Sequence, residues 1–443
     1  MCALYDPTKK IIYIIYLDAN NLYGWAMSQG MPIGGFKWLT REEFERIDWL
    51  AQKDDQDLGY IVVCDLDYPP ELHDRHNDYP LAPERLQVNY TWLSQKQMEI
   101  NRCYNMSRSS KTIKLMPNLM NKREYICDYT TLQLDLQEGM ILKKIHRVIQ
   151  YNQSQWLKKY IHTNQELRVQ AKNDHEKNLF KLMNNSVYGK TCENLKKRTD
   201  IKLVQTEEKR KKYTEMPHCQ NFRIFAENLA GIQLEKSVTK IDKPTAVGFK
   251  TLECSKLLMQ RFMYKKLKVW YGDKVKLLFT DTDSFMLEIE TEDVYKDFFE
   301  HKEFFDFSNY PVGSPFRDTS NQMVVGKFKD ETNGEPIVEF VGLRPKMYSY
   351  TVLTDHGISE KHRAKGIASA TSKNLLHEQY VAQLNNPREN YLPNRRFDAQ
   401  LHQVYSKEVD KRALCSFDDK RFLLADGIFT IFYLCLVNFP VVI

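Results

Sequence analysis

Two apolar segments that end in aspartates constrain the fold of this chain most. Residues 11–17 (IIYIIYL) are β-branched and aromatic, which predicts a buried strand that ends at Asp18. Residues 275–289 (VKLLFTDTDSFMLEI) predict a strand, a tight turn that holds Asp281 and Asp283, and another strand. A carboxylate beside a buried strand is costly unless a cation neutralises it. The two segments therefore predict an acidic site at the ends of neighbouring strands.

Such a site suits divalent cations. Paired strands lie ~4.8 Å apart, and catalytic metal pairs lie ~3.5–4 Å apart. Mg²⁺ prefers a few carboxylates together with phosphates and water, so the pattern indicates two Mg²⁺ ions, or Mn²⁺, and phosphoryl transfer. We expect the carboxylates of Asp18 and Asp283 to lie within about 4–6 Å of each other. The alternative is that D-T-D-S is an ordinary hairpin turn, where Asp and Ser are common. Asp65 and Asp67 alternate along another predicted strand and are not expected to be ligands.

Residues 166–189 contain good helix formers and no proline, which predicts one long helix. At ~100° per residue, Lys177, Lys181 and Tyr188 share one side of it, and Asn185 lies slightly further round. Cations and an aromatic ring on one face suit the triphosphate and the base of a nucleotide. The alternative is a solvated lysine face.

Two further cations, Arg168 and Lys172, lie on the opposite side of a continuous helix. They can reach the same phosphates only if the chain bends between residues 172 and 177.

The bulk properties set broader limits. The 443 residues predict two or three core-forming units, and irregularly alternating strands and helices predict an α+β fold. The net charge of +6 favours an acidic partner only weakly. Nine singly spaced cysteines argue against a structural zinc site and a disulfide framework. The absence of a signal-peptide pattern predicts an intracellular protein of the nucleus or cytoplasm. The apolar residues 428–443 are short for a membrane span of ~20 residues, so a buried strand pair is predicted and no membrane is expected.

Four segments resemble, in the same order, sequence blocks of the B-family DNA polymerases. Asp18-Ala-Asn-Asn-Leu-Tyr23 resembles the D-x-x-S-L-Y-P block, and residues 181–189 (KLMNNSVYG) resemble the K-x-x-x-N-S-x-Y-G block. Residues 281–284 match D-T-D-S, and Lys346-Met-Tyr348 is similar to the K-x-Y block of protein-primed members. Within the family, the residues of these four blocks are most similar to those in the polymerases of Polinton-type mobile elements, linear plasmids and related viruses.

The resemblance implies a role for each matching residue. Asp18 and Asp283 are expected to bind the metal ions, Asp281 to be a supporting acid, and Lys181 to bind the triphosphate and stabilise the leaving pyrophosphate. Tyr23 is expected to exclude a ribose 2′-OH. The other expected nucleotide-binding residues are Leu22, Asn185, Tyr188 and Gly189, with Lys177, Arg168 and Lys172. The expected contacts with the primer terminus and DNA are Lys346 and Tyr348, with Ser186, Thr282 and Ser284.

The resemblance also implies the activity, the partners and the architecture. The chain is expected to be a DNA-directed DNA polymerase core that adds deoxynucleotides to a 3′-OH or to a protein-primer hydroxyl. Its expected partners are primer–template DNA, deoxynucleoside triphosphates and a priming protein. The expected fold is a right hand, with a palm built on an antiparallel sheet, helical fingers and a small thumb. The expected divisions are palm and first block, 1–60; a priming-protein-contacting insertion, 61–155; fingers, 156–195; a processivity insertion, 196–248; second palm part, 249–352; thumb-like region, 353–427; and an atypical apolar tail, 428–443.

Some positions depart from the family pattern. Asn21 and Gly24 stand where the family has Ser and Pro. Only 17 residues precede Asp18, so we expect a fragment without the 3′–5′ exonuclease domain and without proofreading. The alternative function is an inactive truncated remnant that at most binds DNA. A reverse transcriptase fits less well, because its usual Y-x-D-D turn is replaced here by T-D-T-D.

Overall fold

The structure is a computed structural model that describes residues 10–106, 112–236, 238–400, 403–427 and 430–433. Its strands are β1 Ile12–Ala19, β2 Met31–Trp38, β3 Leu58–Asp67, β4 Glu84–Gln87, β5 Ile113–Met116, β6 Lys122–Asp128, β7 Ile141–Ser154, β8 Asp200–Val204, β9 Cys219–Ala226, β10 Leu229–Leu234, β11 Val275–Thr280, β12 Ser284–Glu290, β13 Phe305–Asp306, β14 Phe328–Asp330, β15 Ile337–Arg344, β16 Met347–Thr354, β17 Gly357–Ala364, β18 Tyr391–Gln400, β19 Gln403–Arg412, β20 Phe422–Leu423 and β21 Thr430–Ile431.

The α-helices are α1 Leu22–Met27, α2 Arg41–Glu45, α3 His73–His76, α4 Gln95–Cys103, α5 Tyr129–Gln137, α6 Lys158–Gln170, α7 Asp174–Thr191, α8 Glu207–Thr214, α9 Thr245–Phe262, α10 Lys268–Tyr271, α11 Val294–Glu300, α12 Ser369–Ser372 and α13 His377–Asn385. A π-helical turn over Met263–Leu267 joins α9 to α10.

The largest sheet has the strand order β11-β12-β1-β15-β16-β17, and all neighbours in this order are antiparallel. Strand β14 pairs with the end of β1, and β13 lies parallel to β14. The strands predicted over residues 11–17 and 275–289 are confirmed as β1, β11 and β12. Side chains alternate along a strand, so Ile15 and Leu17 enter the core while Tyr16 and Asp18 face the other side of the sheet.

Helix α9 packs against the core side of this region. Phe262 at its end stacks on Phe328, with ring centroids 3.7 Å apart, and meets Phe305 edge-on at 5.8 Å. Phe285 of β12 stacks on Phe328 from farther away, at 6.4 Å. These buried rings join the helix to β12, β13 and β14, the strands that surround the end of β1.

A second sheet, with order β2-β7-β3-β6, is tied to α9 by a buried polar cluster. Lys250 of α9 pairs with Asp128, and both are almost fully buried. The hydroxyl of Tyr151 donates to the same carboxylate at 2.9 Å. A buried ion pair is favourable only with such additional hydrogen bonds, so this cluster fixes the position of α9 on the sheet.

The prediction of one helix over residues 166–189 is wrong. Helix α6 ends at Gln170, Ala171 is extended, and α7 begins after Asn173, whose side chain accepts a hydrogen bond from the Glu176 N–H at 2.9 Å. Glu176 in turn accepts from the Lys172 N–H at 2.9 Å. An Asn followed by a Glu three residues later is a helix-start pattern, and this local capping prevents a continuous helix. The two helices pack on each other.

The remaining strands form smaller units. Strands β8, β10 and β9 form a three-stranded sheet covered by α8, and β18 pairs with β19 in a long hairpin. Helix α13 packs on β15, β16 and β17. Of the apolar residues 428–443, only 430–433 are described. There β21 pairs with β20, and Phe432 and Tyr433 are buried. A membrane-spanning helix of sufficient length and apolarity is not found among the described residues.

Candidate active site

Asp18 lies at the end of β1 with a different strand on each side. It pairs with Ser284 of β12 on one side and with Lys329 of β14 on the other. The N–H of Ala19 donates to the carbonyl oxygen of Asp283 at 2.7 Å. The sequence therefore predicted correctly that these two aspartates lie at the ends of neighbouring strands, Asp18 on β1 and Asp283 directly before β12. The distance between their carboxylates stays a prediction.

The turn that carries the other two aspartates is tight. The Asp283 N–H donates to the Asp281 carbonyl oxygen at 2.7 Å, and Thr282 between them adopts a left-handed φ of 63°. A left-handed residue other than glycine costs about 1–3 kcal/mol and persists only when its surroundings impose it. Thr282 is exposed at the tip, whereas Ser284 is buried, so the Ser284 side chain is not open to a DNA strand.

The electrostatics of this cluster favour a bound cation. Burial raises the pKa of Asp18 to about 7, and the charges of Asp283 and Glu331 add to this effect, while Lys181 and Lys329 oppose it. Burial also raises the pKa of Asp283. Raised pKa values of two neighbouring carboxyls mean that their charges are not fully compensated. A divalent cation would compensate them.

The donor set fits a magnesium-type site more than a zinc-type site. Asp18 and Asp283 offer carboxylate oxygens, with Asp281 nearby, and Mg²⁺ uses few carboxylates and leaves positions for phosphates and water. Among the described residues there is no group of three or more His, Cys, Asp or Glu side chains placed to hold a metal ion. Two carboxylates would leave coordination positions open for phosphate oxygens and water.

Helix α7 presents the predicted nucleotide-binding side chains. Lys181 is exposed and close enough to Asp18 and Asp283 to lower the pKa of both. About two helical turns later, the Tyr188 ring stacks on Tyr23 of α1, with centroids 4.3 Å apart and planes inclined by 17°. Burial raises the pKa of Tyr188 to about 12. The structure thus places Lys181 and Tyr23 near the aspartates, and Tyr188 beside Tyr23.

The other predicted residues of α7 and α1 have different surroundings. Asn185 is half-buried, Ser186 donates to the Met183 carbonyl oxygen at 3.2 Å, and a Cβ added at Gly189 would meet no atom within 4 Å. Leu22 is almost fully buried in the main core. Its side chain is therefore not available to a nucleotide, because it points away from the exposed side of α1.

The three cations predicted with less specific evidence are separated by the break between α6 and α7. Arg168 lies near the end of α6, and burial lowers its pKa. Lys172 lies in the exposed connection, and Lys177 of α7 pairs with Asp174 at 3.6 Å. The chain does bend, but at residues 171–173, which is earlier than the expected interval and places Lys172 in the bend itself. Their contact with phosphates stays a prediction.

The two departures from the family pattern contact each other. Asn21 has a left-handed φ of 43° and caps α1, and its side chain accepts from the Gly24 N–H at 3.1 Å. A Cβ at Gly24 would lie 2.5 Å from the Asn21 amide nitrogen. Proline at this position would have no N–H to donate, so Asn21 and Gly24 work as a pair.

The K-x-Y segment reaches the site through the turn between β15 and β16. Lys346 follows Pro345 and has a left-handed φ of 62°, the order of a type II turn. Its Nζ lies 3.2 Å from the Asp281 Oδ1. Tyr348 is buried, its ring lies 4.6 Å from that of Phe279, and its hydroxyl faces Tyr16 at 3.3 Å.

Asp65 and Asp67 lie in the other sheet, on β3. Asp65 accepts from the Glu124 N–H at 2.8 Å and pairs with His146 at 2.9 Å. Asp67 pairs with Arg123 at 3.1 Å. Protein groups already compensate both carboxylates.

Three residues near Asp18 were missed from the sequence. Lys329 lies on β14, a strand of only three residues, Glu331 follows one residue after its end, and the charges of both act on the pKa of Asp18. Tyr16 lies two residues before Asp18 on the same face, but a tyrosine in an apolar strand indicates packing first. Sequence periodicity carries no signal for these contacts, because they depend on which strands pair.

Comparisons with known proteins agree with this geometry. Residues 1–266 match the family model of "DNA polymerase type B, organellar and viral". No curated protein matches the chain significantly. Among solved structures, Phi29 DNA polymerase in complex with primer–template DNA and incoming nucleotide is 15% identical over 93% of this chain and 60% of its own, with a TM-score of 0.54. Its orthorhombic crystal form is 15% identical over 92% of this chain and 59% of its own, with a TM-score of 0.51.

The chain thus spans about 60% of the length of these structures. At this identity the likeness concerns the fold, and it confirms the predicted right-hand polymerase fold. The family match covers more than half of the chain and includes the blocks at Asp18 and at residues 181–189. This chain belongs to the type B DNA polymerases of organelles and viruses.

Proposed function

We propose that this chain is a DNA-directed DNA polymerase core. It extends a primer 3′-OH, or the hydroxyl of a priming protein, with deoxynucleotides copied from a template strand. The observation that carries the proposal is the meeting of Asp18 and Asp283 on adjacent strands, with Lys181 facing both, in a chain of this family. Primer–template DNA and deoxynucleoside triphosphates are the substrates. A priming protein is a further partner.

Asp18 and Asp283 would hold two divalent cations, Mg²⁺ or Mn²⁺, with Asp281 in support. The chemistry that such ions would supply when bound is activation of the attacking hydroxyl and charge stabilisation of the leaving pyrophosphate. Lys181 binds the triphosphate and offsets negative charge that grows on the leaving group. Tyr23 fills the space that a ribose 2′-OH would need, and Tyr188 and Asn185 line the nascent base pair. Most of the catalytic effect comes from positioning and electrostatics.

The main sheet is the palm, and the α6–α7 hairpin is the fingers. Residues 61–155, which carry β6, β7 and most of β3 of the second sheet but not β2, form the insertion that contacts a priming protein. The β8-β10-β9 sheet with α8 forms the second insertion, and its basic residues at 196–198 and 209–212 suit contact with DNA phosphates. Residues 353–427, with the β18–β19 hairpin, form the thumb.

An inactive remnant that only binds DNA is not favoured. Such a remnant has no need for partly buried acids whose charges are left uncompensated. Asp18, Asp283 and Lys181 are all present and mutually close. The basic residues at 196–198 and 209–212 would be sufficient for DNA binding alone.

Primer extension tests the proposal. The purified chain is mixed with a primed template, Mg²⁺ and each of the four labelled deoxynucleotides in turn. Incorporation only of the nucleotide complementary to the template, abolished by a chelator, is expected. Binding of primed DNA without any extension, in Mg²⁺ and in Mn²⁺, would instead support the inactive remnant.

A further inference from the structure

The main sheet divides close to the candidate active site. Strand β1 pairs with β15 only at Ile14 and Ile337. From Leu17 onward β1 pairs with β14 instead, and the Tyr16 carbonyl oxygen already accepts from the Glu331 N–H at 2.9 Å. At the level of Asp18, the β15–β16 hairpin therefore has no backbone hydrogen bonds to β1.

Side chains bridge this division. The Tyr16 hydroxyl lies 3.3 Å from the Tyr348 hydroxyl of β16, across β15. Gly342, the β15 partner of Tyr348, places no side chain between them. The Tyr16 ring meets Tyr350 edge-on at 5.8 Å. Both hydroxyls are therefore held in place by ring packing and not only by their own contact.

The bridge connects two parts of the proposed site. Tyr16 lies two residues before Asp18 on the same face of β1, and Tyr348 lies two residues after Lys346. The second connection between these parts is the Lys346–Asp281 ion pair, in which Lys346 is half exposed. An exposed pair is weak and screened by salt, so the partly buried hydroxyl contact is the more rigid of the two.

We infer that Tyr16 is a positioning residue that holds the K-x-Y hairpin, and with it the primer terminus, at a fixed place relative to Asp18. The inference rests on the proposed function for the identity of the DNA strand. Tyr16 acts through Tyr348 and need not touch the substrate. Loss of its hydroxyl should weaken placement of the primer terminus without weakening capture of the nucleotide.

A double-mutant cycle tests the inference. Tyr16→Phe, Tyr348→Phe and the double variant each keep the rings and remove hydroxyls. Tyr16→Phe should raise the KM for primer–template by about 2- to 10-fold, the effect of one hydrogen bond, and leave the KM for the deoxynucleotide unchanged. In the Tyr16→Phe background, Tyr348→Phe should raise this KM by a smaller factor than it does in the parent, because the bridge between the two hydroxyls is already lost. Additive effects, or equal changes in both KM values, would overturn the inference.

The matched control is Tyr13→Phe. Tyr13 lies on the opposite face of the same strand, and its hydroxyl donates to the Glu292 carbonyl oxygen at 3.0 Å. It should leave both KM values unchanged even if it lowers the melting temperature. An increase in the KM for primer–template equal to that of Tyr16→Phe would show a general effect of the strand and would overturn the inference.

A second readout separates this inference from the proposed function. A primer with 2-aminopurine at its 3′ end reports terminus placement by fluorescence, without metal or nucleotide. The same cycle should show coupled loss of the terminus-dependent signal in the Tyr16 and Tyr348 variants. If the parent chain extends no primer, the polymerase proposal is refuted. The fluorescence measurements on the Tyr16 and Tyr348 variants do not depend on extension, so they still test the positioning role of Tyr16. A parent that gives no terminus-dependent signal overturns the inference.

Discussion

The ring of Tyr23 stacks on the ring of Tyr188 with centroids 4.3 Å apart. The contact joins α1, which directly follows Asp18, to α7, which carries Lys181. The two residues assigned to the sugar and to the base therefore form one aromatic surface beside the acids.

Tyr23→Ala should admit ribonucleotides while DNA synthesis remains measurable. The ring, not the metal site, is proposed to sense the 2′-OH, and a pocket contact of this kind is worth about 10- to 200-fold in discrimination. Steady-state kinetics with matched ribo- and deoxynucleotides measure this ratio. Tyr188→Ala removes the stack but keeps the gate, so it should retain discrimination. A Tyr23→Ala variant as selective as the parent would show that Tyr23 is not the gate.

Lys181→Ala should slow incorporation far more than it weakens DNA binding. Charge on the leaving pyrophosphate grows in the transition state, and loss of a donor there costs about 10²–10³ in rate. Duplex affinity comes from many phosphate contacts, so its salt slope should change by at most about one unit. Single-turnover incorporation and primer–template affinity are measured side by side. Lys190→Ala, on the same helix but paired with Glu193, is the control, and a normal rate for Lys181→Ala would refute the assignment.

The sequence predicted the elements of this site better than their arrangement. The strands at Asp18 and at residues 281–284 follow from apolar runs that end in turns, and both are present. The break between α6 and α7 was missed because helix propensity was weighed over the whole segment, whereas the Asn173–Glu176 cap acts locally. Lys329 and Tyr16 could not be predicted, because their roles depend on β14 entering between β1 and β15.

Gly24→Pro should destabilise the chain, and Asn21→Ser should relieve much of that loss. Proline removes the N–H that Asn21 caps, and its ring would collide with the Asn21 side chain. Loss of a helix cap costs about 0.5–2 kcal/mol. Chemical denaturation of the two single variants and the double variant measures the coupling. Additive losses would show that the two positions are independent.

Asp135→Asn should stabilise the chain more at high pH than at low pH. Asp135 is fully buried, neither carboxylate oxygen has a hydrogen-bond partner among the described residues, and burial raises its pKa from 3.8 to about 8. Between these two values the unfolded carboxyl ionises while the folded one keeps its proton, so the free energy of unfolding of the parent falls as the pH rises. Asparagine does not ionise in this pH range, so the free energy of unfolding of the variant lacks this pH dependence.

We expect the advantage of the variant over the parent to grow by about 1–4 kcal/mol between about pH 5 and pH 8, because each pH unit between the two pKa values lowers the parent's free energy of unfolding by up to about 1.4 kcal/mol. Urea denaturation at both pH values measures it, with the exposed Asp355→Asn as control. A difference between variant and parent that does not change with pH would contradict the expectation.

Asp18 and Asp283 are the proposed ligands of the catalytic metal ions. Single-turnover incorporation in Mg²⁺, compared among the parent, Asp18→Asn, Asp283→Asn and Asp65→Asn, tests this assignment most directly. Asparagine keeps the shape of aspartate and removes the charge, while Asp65 is an acid of the other sheet that is already paired with His146. Asp18→Asn and Asp283→Asn should each lose at least about 10²-fold in rate and retain primer–template affinity, whereas Asp65→Asn should keep the parental rate. An Asp18→Asn or Asp283→Asn variant that incorporates at the rate of the parent would contradict the assignment.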